Sequence, residues 1–298
     1  MEQMRVSFHE QISRNKWKSF FLIVIIFLVF LLLGYVISLA AGWDFYFIMI
    51  LAITISILYI LISFYKSDKI ALASVGAMPA PQQEYRQYHN SVEALCLASG
   101  MPKPKLYVMP GQQINAFASG RDPQHAVICV TEGALNKLSK QELEGVLGHE
   151  LSHIANFDIR FMTLVAVMVG MIAIISEIFL RSLWYRGGGG DREGKGNAIF
   201  VIIGIILAIL APIIVQLVQF AISRKREYVA DASAVKFIRS PTGLIGALKK
   251  IKNESITEQP KISKAVAPLF ISNPFKKLEN LTSTHPPLSK RIEILERM

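Results

Sequence analysis

Apolar positions gather into four long runs, Ser19 to Ala41, Phe45 to Tyr65, Phe161 to Leu180 and Ala198 to Ile222, separated by polar blocks. A helix needs roughly 20 mostly apolar residues to cover about 30 Å of hydrocarbon, so each run predicts a transmembrane helix. The first follows Arg14, Lys16 and Lys18, as the core of a secretory signal would. A signal core is usually about 7 to 15 residues, whereas this run continues well past that and a second follows at once. It therefore reads as half of a retained hairpin.

The polar blocks carry mixed periodicities. Glu84 to Ala98 predicts an amphipathic helix, broken at Gly100-Met-Pro-Lys-Pro. Short β-type runs at Lys105 to Met109, Ile114 to Ser119 and Ala126 to Thr131 are punctuated by Pro110-Gly111 and Gly120-Arg-Asp-Pro, which predicts a small antiparallel sheet. Ser139-Lys-Gln-Glu142 has the form of a capping box. The helix it opens places Leu143, Val146, Leu147, Leu151 and Ile154 on one face. Gly187 to Gly190, among charges, reads as a connector between the third and fourth runs.

Composition supports a bilayer: 52% of the 298 residues are apolar and the mean hydropathy is +0.40. The formal charge of +10 sits largely beside the spans, with no basic stripe interleaved with aromatics, so nucleic acid is not expected as a partner. Arg5, Arg14, Lys16, Lys18, Lys66, Lys69, Arg160, Arg224, Lys225 and Arg226 flank one side of the spans. The positive-inside rule then places both termini and both polar blocks in the cytoplasm, at a cell membrane crossed several times. Cys96 and Cys129 have no metal-type spacing and are expected as reduced thiols. Asn253-Glu-Ser and Asn280-Leu-Thr match a glycosylation sequon on the wrong side for its use.

The capped helix contains His149-Glu150-Leu151-Ser152-His153. Histidines four apart lie one turn apart on one face, so both imidazoles can reach one zinc ion at about 2.0 to 2.1 Å, with Glu150 beside them as a base. Zinc lowers the pKa of a coordinated water from 15.7 towards about 7 and polarises a carbonyl, which is what peptide hydrolysis at neutral pH requires. A catalytic zinc takes a third protein ligand. Asn156 and Ile159 stand where a metzincin pattern would have Gly and His, leaving a carboxylate from a second helix.

Topology narrows that carboxylate. Asp191 and Glu193 fall on the outer side, and Glu177 lies roughly 24 Å along the third span. Asp158, five residues past His153, is poorly placed to reach back. Glu227, in Arg226-Glu-Tyr-Val-Ala-Asp231, is the strongest candidate, with Asp231 one turn on to accept a hydrogen bond from a ligand imidazole. The same two carboxylates could instead pair with Arg224, Lys225 and Arg226.

Two spans, H-E-x-x-H, two more spans, E-x-x-x-D and a terminal His-Pro segment, in that order, resemble the membrane-embedded gluzincin proteases of the HtpX type, related to the CAAX prenyl endopeptidases. The resemblance covers nearly the whole chain. It implies four transmembrane helices and a cytoplasmic α+β zincin-like catalytic domain assembled from two segments. The divisions are a first hairpin at 1–66, a catalytic segment at 67–160, a second hairpin at 161–222 and a second catalytic segment at 223–298. One zinc ion and polypeptide substrates in or near the bilayer follow, with a quality-control role.

For Asn115-Ala116-Phe117-Ala118 the resemblance implies an edge strand to which substrate backbone adds, although the run also suits an ordinary strand. For Thr284-His-Pro-Pro-Leu-Ser-Lys-Arg291 it implies His285 and Arg291 near the active site, where a donor or cation could stabilise an oxyanion. A terminal helix with Pro in its first turn explains the same residues. The rival functions are a prenyl-protein peptidase and a non-proteolytic scaffold or chaperone; a binding module, however, has no need of a base beside a metal.

Overall fold

The computed structural model describes residues 8–41, 44–166, 224–254, 269–272 and 286–298. Helices α1 (Phe8–Ala41) and α2 (Phe45–Tyr65) form a hairpin, with Asp44 Oδ1 accepting from Phe47 N at 2.7 Å to start α2. Both are long and apolar enough to cross a membrane, with mean hydropathies of 2.0 over Asn15–Leu32 and 2.7 over Phe45–Tyr65. The helices approach closely where Gly34 meets Ala52: a Cβ on Gly34 would lie 2.5 Å from the Ala52 Cβ. Small residues let two apolar helices touch in this way. Phe20, Phe21, Leu28, Ile50, Leu58 and Leu61 face outward. Beyond the helical residues 161–166, the expected third and fourth spans lie outside the described residues, and with them Glu177 and the two glutamines, Gln216 and Gln219, near the inner end expected for the fourth run.

The polar blocks form one layered body. Helix α3 (Ser67–Ser74) leads to β1 (Met78–Pro79), then α4 (Arg86–Ser99), which stops at Gly100 in the left-handed conformation, φ 69°. Strands β2 (Lys105–Met109), β3 (Ala116–Gly120) and β4 (Ala126–Thr131) complete a sheet of order β1-β2-β4-β3. The pairs β1/β2 and β3/β4 are antiparallel, but β2/β4 is parallel, so the sheet is mixed rather than antiparallel throughout. The chain after Met109 passes over to the far side before turning back, and β4 fills the centre. Turn residues mark where strands stop without fixing their order. The consequence is that β3, like β1, becomes an edge strand.

After α5 (Glu132–Lys137), helix α6 (Lys140–Ala155) runs through the middle of the body. Its start has the expected reciprocal cap, Ser139 N donating to Glu142 Oε2 at 2.7 Å and Glu142 N to Ser139 Oγ at 3.3 Å. Helix α7 (158–166) follows, then α8 (Arg224–Ile238), α9 (Thr242–Asn253) and α10 (Leu288–Leu295). Helices α8 and α9 pack on α6, as do α4 and β3. Leu143, Val146, Leu147, Leu151 and Ile154 are buried on the shared core with Ile128, Val130, Leu244 and Leu248. Gly145 lets α9 come against α6, since a Cβ there would lie 2.4 Å from Leu244 N.

Candidate active site

The last two turns of α6 carry His149, Glu150 and His153, all buried. Across from them, the first turn of α8 brings Glu227 to the same point. One ligand atom from each of His149, His153 and Glu227 lies within 4.8 Å of the others. The two imidazole Nε2 atoms face each other at 3.3 Å, and Glu227 Oε2 and Oε1 stand 3.5 Å and 3.7 Å from them. Two nitrogens and a carboxylate aimed at one buried point are a donor set suited to zinc.

Each imidazole is held from behind at Nδ1, which leaves Nε2 to face the common point. His149 Nδ1 lies 2.9 Å from Asp231 Oδ1, and His153 Nδ1 lies 3.1 Å from Asp158 Oδ2. Burial and Arg291 oppose a charged His149 ring, but Asp231 and Glu227 outweigh them and raise its pKa to about 9. Burial would raise the Asp231 pKa, yet Arg291 and His149 hold it below the usual carboxylate range.

Glu150 Oε1 is buried without a hydrogen-bond partner in the protein. Burial raises the Glu150 pKa, with His149 and His153 pulling the other way, and its carboxylate reaches the backbone N–H of Ala118 on β3. A buried carboxylate with a raised pKa, lying beside a donor set, has the chemistry that proton transfer to and from water requires.

Asn115, Ala116 and Phe117 lie along β3 and just before it, and a described segment of the chain already pairs with that edge. Phe270 bridges Phe117 in antiparallel sense, Ile271 N donates to Ala116 O at 3.0 Å, and Asn115 Nδ2 donates to Ser272 O at 2.9 Å. The Phe117 and Phe270 rings meet edge to face with centroids 5.2 Å apart.

Arg291 is turned onto Asp231. It is fully buried on α10, with Nε and Nη2 on Asp231 Oδ2 and Oδ1 at 2.9 Å and 2.7 Å, and Nη1 on Ile271 O at 3.3 Å. It also meets the centre directly, Nη1 lying 3.5 Å from Glu227 Oε2 and Nη2 3.3 Å from His149 Nδ1, and supplies the counter-charge for the buried carboxylates. His285 lies outside the described residues.

Asp158, set aside on sequence as poorly placed to reach back, has its Oδ2 3.1 Å from His153 Nδ1, in the role of a partner to a histidine and not of a third ligand. A continued straight helix would carry it away from His153, but the helix breaks in a turn at 156–157, where Phe157 takes φ 58°. No glycine marks this turn; Asn156-Phe157-Asp158 carries only the weak signal of polar residues at a helix end.

A buried His-His-Glu set with a glutamate beside it and a strand edge alongside defines a metallopeptidase. The model of peptidase family M48 matches residues 82–298, and the chain belongs to that family. It is similar to the "Protease HtpX homolog" of Caldanaerobacter subterraneus subsp. tengcongensis, 46% identical over 293 residues covering 97% of each chain. It is similar also to that of Thermoanaerobacter pseudethanolicus, 46% identical over 298 residues and 99% of each. Among solved structures, the crystal structure of S. mikatae Ste24p shares the fold at a TM-score of 0.50 and 23% identity, covering 96% of this chain; the chain spans 66% of the length of that one.

Proposed function

We propose that this metalloprotease is a zinc endopeptidase anchored in the cell membrane, with its catalytic body on the cytoplasmic side, where it cleaves damaged or misfolded membrane and membrane-proximal proteins. The convergence of His149, His153 and Glu227 beside Glu150 carries the reading. Zinc in that set would supply Lewis acidity to the scissile carbonyl and acidify water at the site.

The chain's own residues do the rest. Glu150 takes the proton of the attacking water as its oxygen bonds to the scissile carbon, and passes that proton to the nitrogen as the C–N bond breaks. Asp231 and Asp158 keep His149 and His153 in the tautomer that turns Nε2 inward. The backbone of Ala116 and the side chain of Asn115 hold an extended segment on β3, beside Phe117, in the way they hold 269–272. His285 is assigned by resemblance to the oxyanion side, and Arg291 to the support of Asp231.

The experiment is a comparison of full-length protein with Glu150→Gln. The variant should keep its zinc and lose peptidase activity by more than 100-fold, on the order of what removing a general base costs. A Glu150→Gln protein that retains zinc and cleaves at the normal rate overturns the mechanism; a Glu227→Ala protein with full zinc content overturns the ligand set.

A further inference from the structure

We propose that Asn15, on the first apolar helix, is a positioning residue for the metal centre, acting through Asp158 on His153. The inference rests on the His149, His153 and Glu227 metal site proposed above.

Asn15 begins the apolar window of α1, yet it is only 2% exposed and turned onto the catalytic body. Its amide nitrogen carries two hydrogens, and the geometry uses both. One goes to Asn156 O at 3.0 Å and the other to Asp158 Oδ1 at 2.7 Å. Asn156 O is among the last carbonyls of α6, which have no partner within the helix. Asp158 has no exposed surface, and its other oxygen, Oδ2, holds His153 Nδ1 at 3.1 Å. Arg226 Nη1 is 3.6 Å from Asp158 Oδ1, within ion-pair range but beyond a good hydrogen bond. Asn15 is thus the near donor on that oxygen.

The choice of a neutral amide has a consequence. It satisfies a lone pair on Oδ1 while Arg226, 3.6 Å from that oxygen, supplies the counter-charge and Oδ2 stays turned to the imidazole, so His153 is held with Nδ1–H donating and Nε2 free for the metal. The two metal histidines are then supported alike. His149 leans on Asp231, which is held by Arg291 near the chain's end, and His153 leans on Asp158, which is held by Asn15 near its start. The first membrane helix in this way contributes to the metal site as well as to anchoring.

The test measures zinc dissociation constants on full-length protein in detergent, by competition with a chelator, for wild type, Asn15→Ala, Asp158→Asn and the double variant. Loss of a group behind a metal ligand typically weakens binding about 10- to 100-fold, and Asn15 stands one step further back, so Asn15→Ala should cost about threefold to tenfold. In the Asp158→Asn background the same change should cost nothing more. Unchanged affinity in Asn15→Ala, or an equal loss in both backgrounds, overturns the proposal and leaves Asn15 a structural contact.

If Asp158→Asn does not accumulate, Asn15→Asp decides. It puts a like charge against Asp158, so its zinc affinity should fall below that of Asn15→Ala; equal affinity overturns the proposal. Wild-type protein that binds no zinc, or Glu227→Ala that binds it normally, would instead remove the metal-site reading itself.

Discussion

Arg291 grips both carboxylate oxygens of Asp231, Nε to Oδ2 at 2.9 Å and Nη2 to Oδ1 at 2.7 Å, in a place with no exposed surface. Asp231 Oδ1 also meets His149 Nδ1, so a cation on the last helix sets the orientation of an imidazole on α6. A lysine keeps the charge but cannot make two parallel bonds. Arg291→Lys should therefore weaken zinc binding roughly tenfold, read by chelator competition. Arg291→Met leaves a buried carboxylate uncompensated and should destabilise the protein by about 3 to 5 kcal/mol, read by denaturant unfolding.

That pair also shows what could be read from sequence. His149, Glu150 and His153 stand out because helical period alone puts them together, and Glu227 and Asp231 because the same period and membrane sidedness limit the alternatives. Arg291 was legible as a residue of the site but not in its direction, since only packing shows that α10 approaches behind Asp231. Asn15 and Asp158 meet across most of a domain, through a left-handed Phe157 that no local residue preference announces. The parallel β2/β4 pair was hidden for a related reason: strand order is a long-range property, and punctuation is local.

The start of α6 gives a prediction in pH. Glu142 closes the capping box on Ser139 and pairs with Lys250 Nζ at 2.7 Å. Burial works to raise its pKa, but Lys250 and the Ser139 backbone N–H lower it below the ordinary value. A depressed carboxylate contributes stability that is present above its unfolded pKa, about 4.3, and lost as pH falls through the folded one. Glu142→Gln, which keeps the box but not the ion pair, should cost up to about 1 kcal/mol at neutral pH, and the gap from wild type should close below about pH 4. Unfolding curves across pH 3 to 7 check this; a gap that persists at the acid end excludes it.

Packing of α9 on α6 depends on Gly145. An alanine Cβ would fall 2.4 Å from Leu244 N and 2.7 Å from Leu244 Cα, backbone atoms that cannot rotate aside. Gly145→Ala should destabilise by about 1 to 3 kcal/mol despite its better helix propensity. As α9 packs one turn from the His149 turn, activity at moderate temperature should fall less than thermal stability. Melting temperature and activity measured on the same preparation separate the two.

The occupied edge of β3 yields the last prediction. Ile271 N donates to Ala116 O and Asn115 Nδ2 donates to Ser272 O, so 269–272 uses the backbone and amide groups that an incoming peptide would use. On the function proposed above, a substrate adding to β3 would have to take these partners over, and each hydrogen bond lost or gained shifts that exchange by about 0.5 to 1.5 kcal/mol. Ile271→Pro removes the donor to Ala116 while leaving Phe270 against Phe117. With the competing segment weakened, KM for an extended peptide should fall roughly threefold to tenfold, with kcat little changed because the metal donors and Glu150 are untouched. A lowered kcat at constant KM would mean that 269–272 supports the catalytic centre, through the Arg291 contact to Ile271 O, instead of competing for the strand edge.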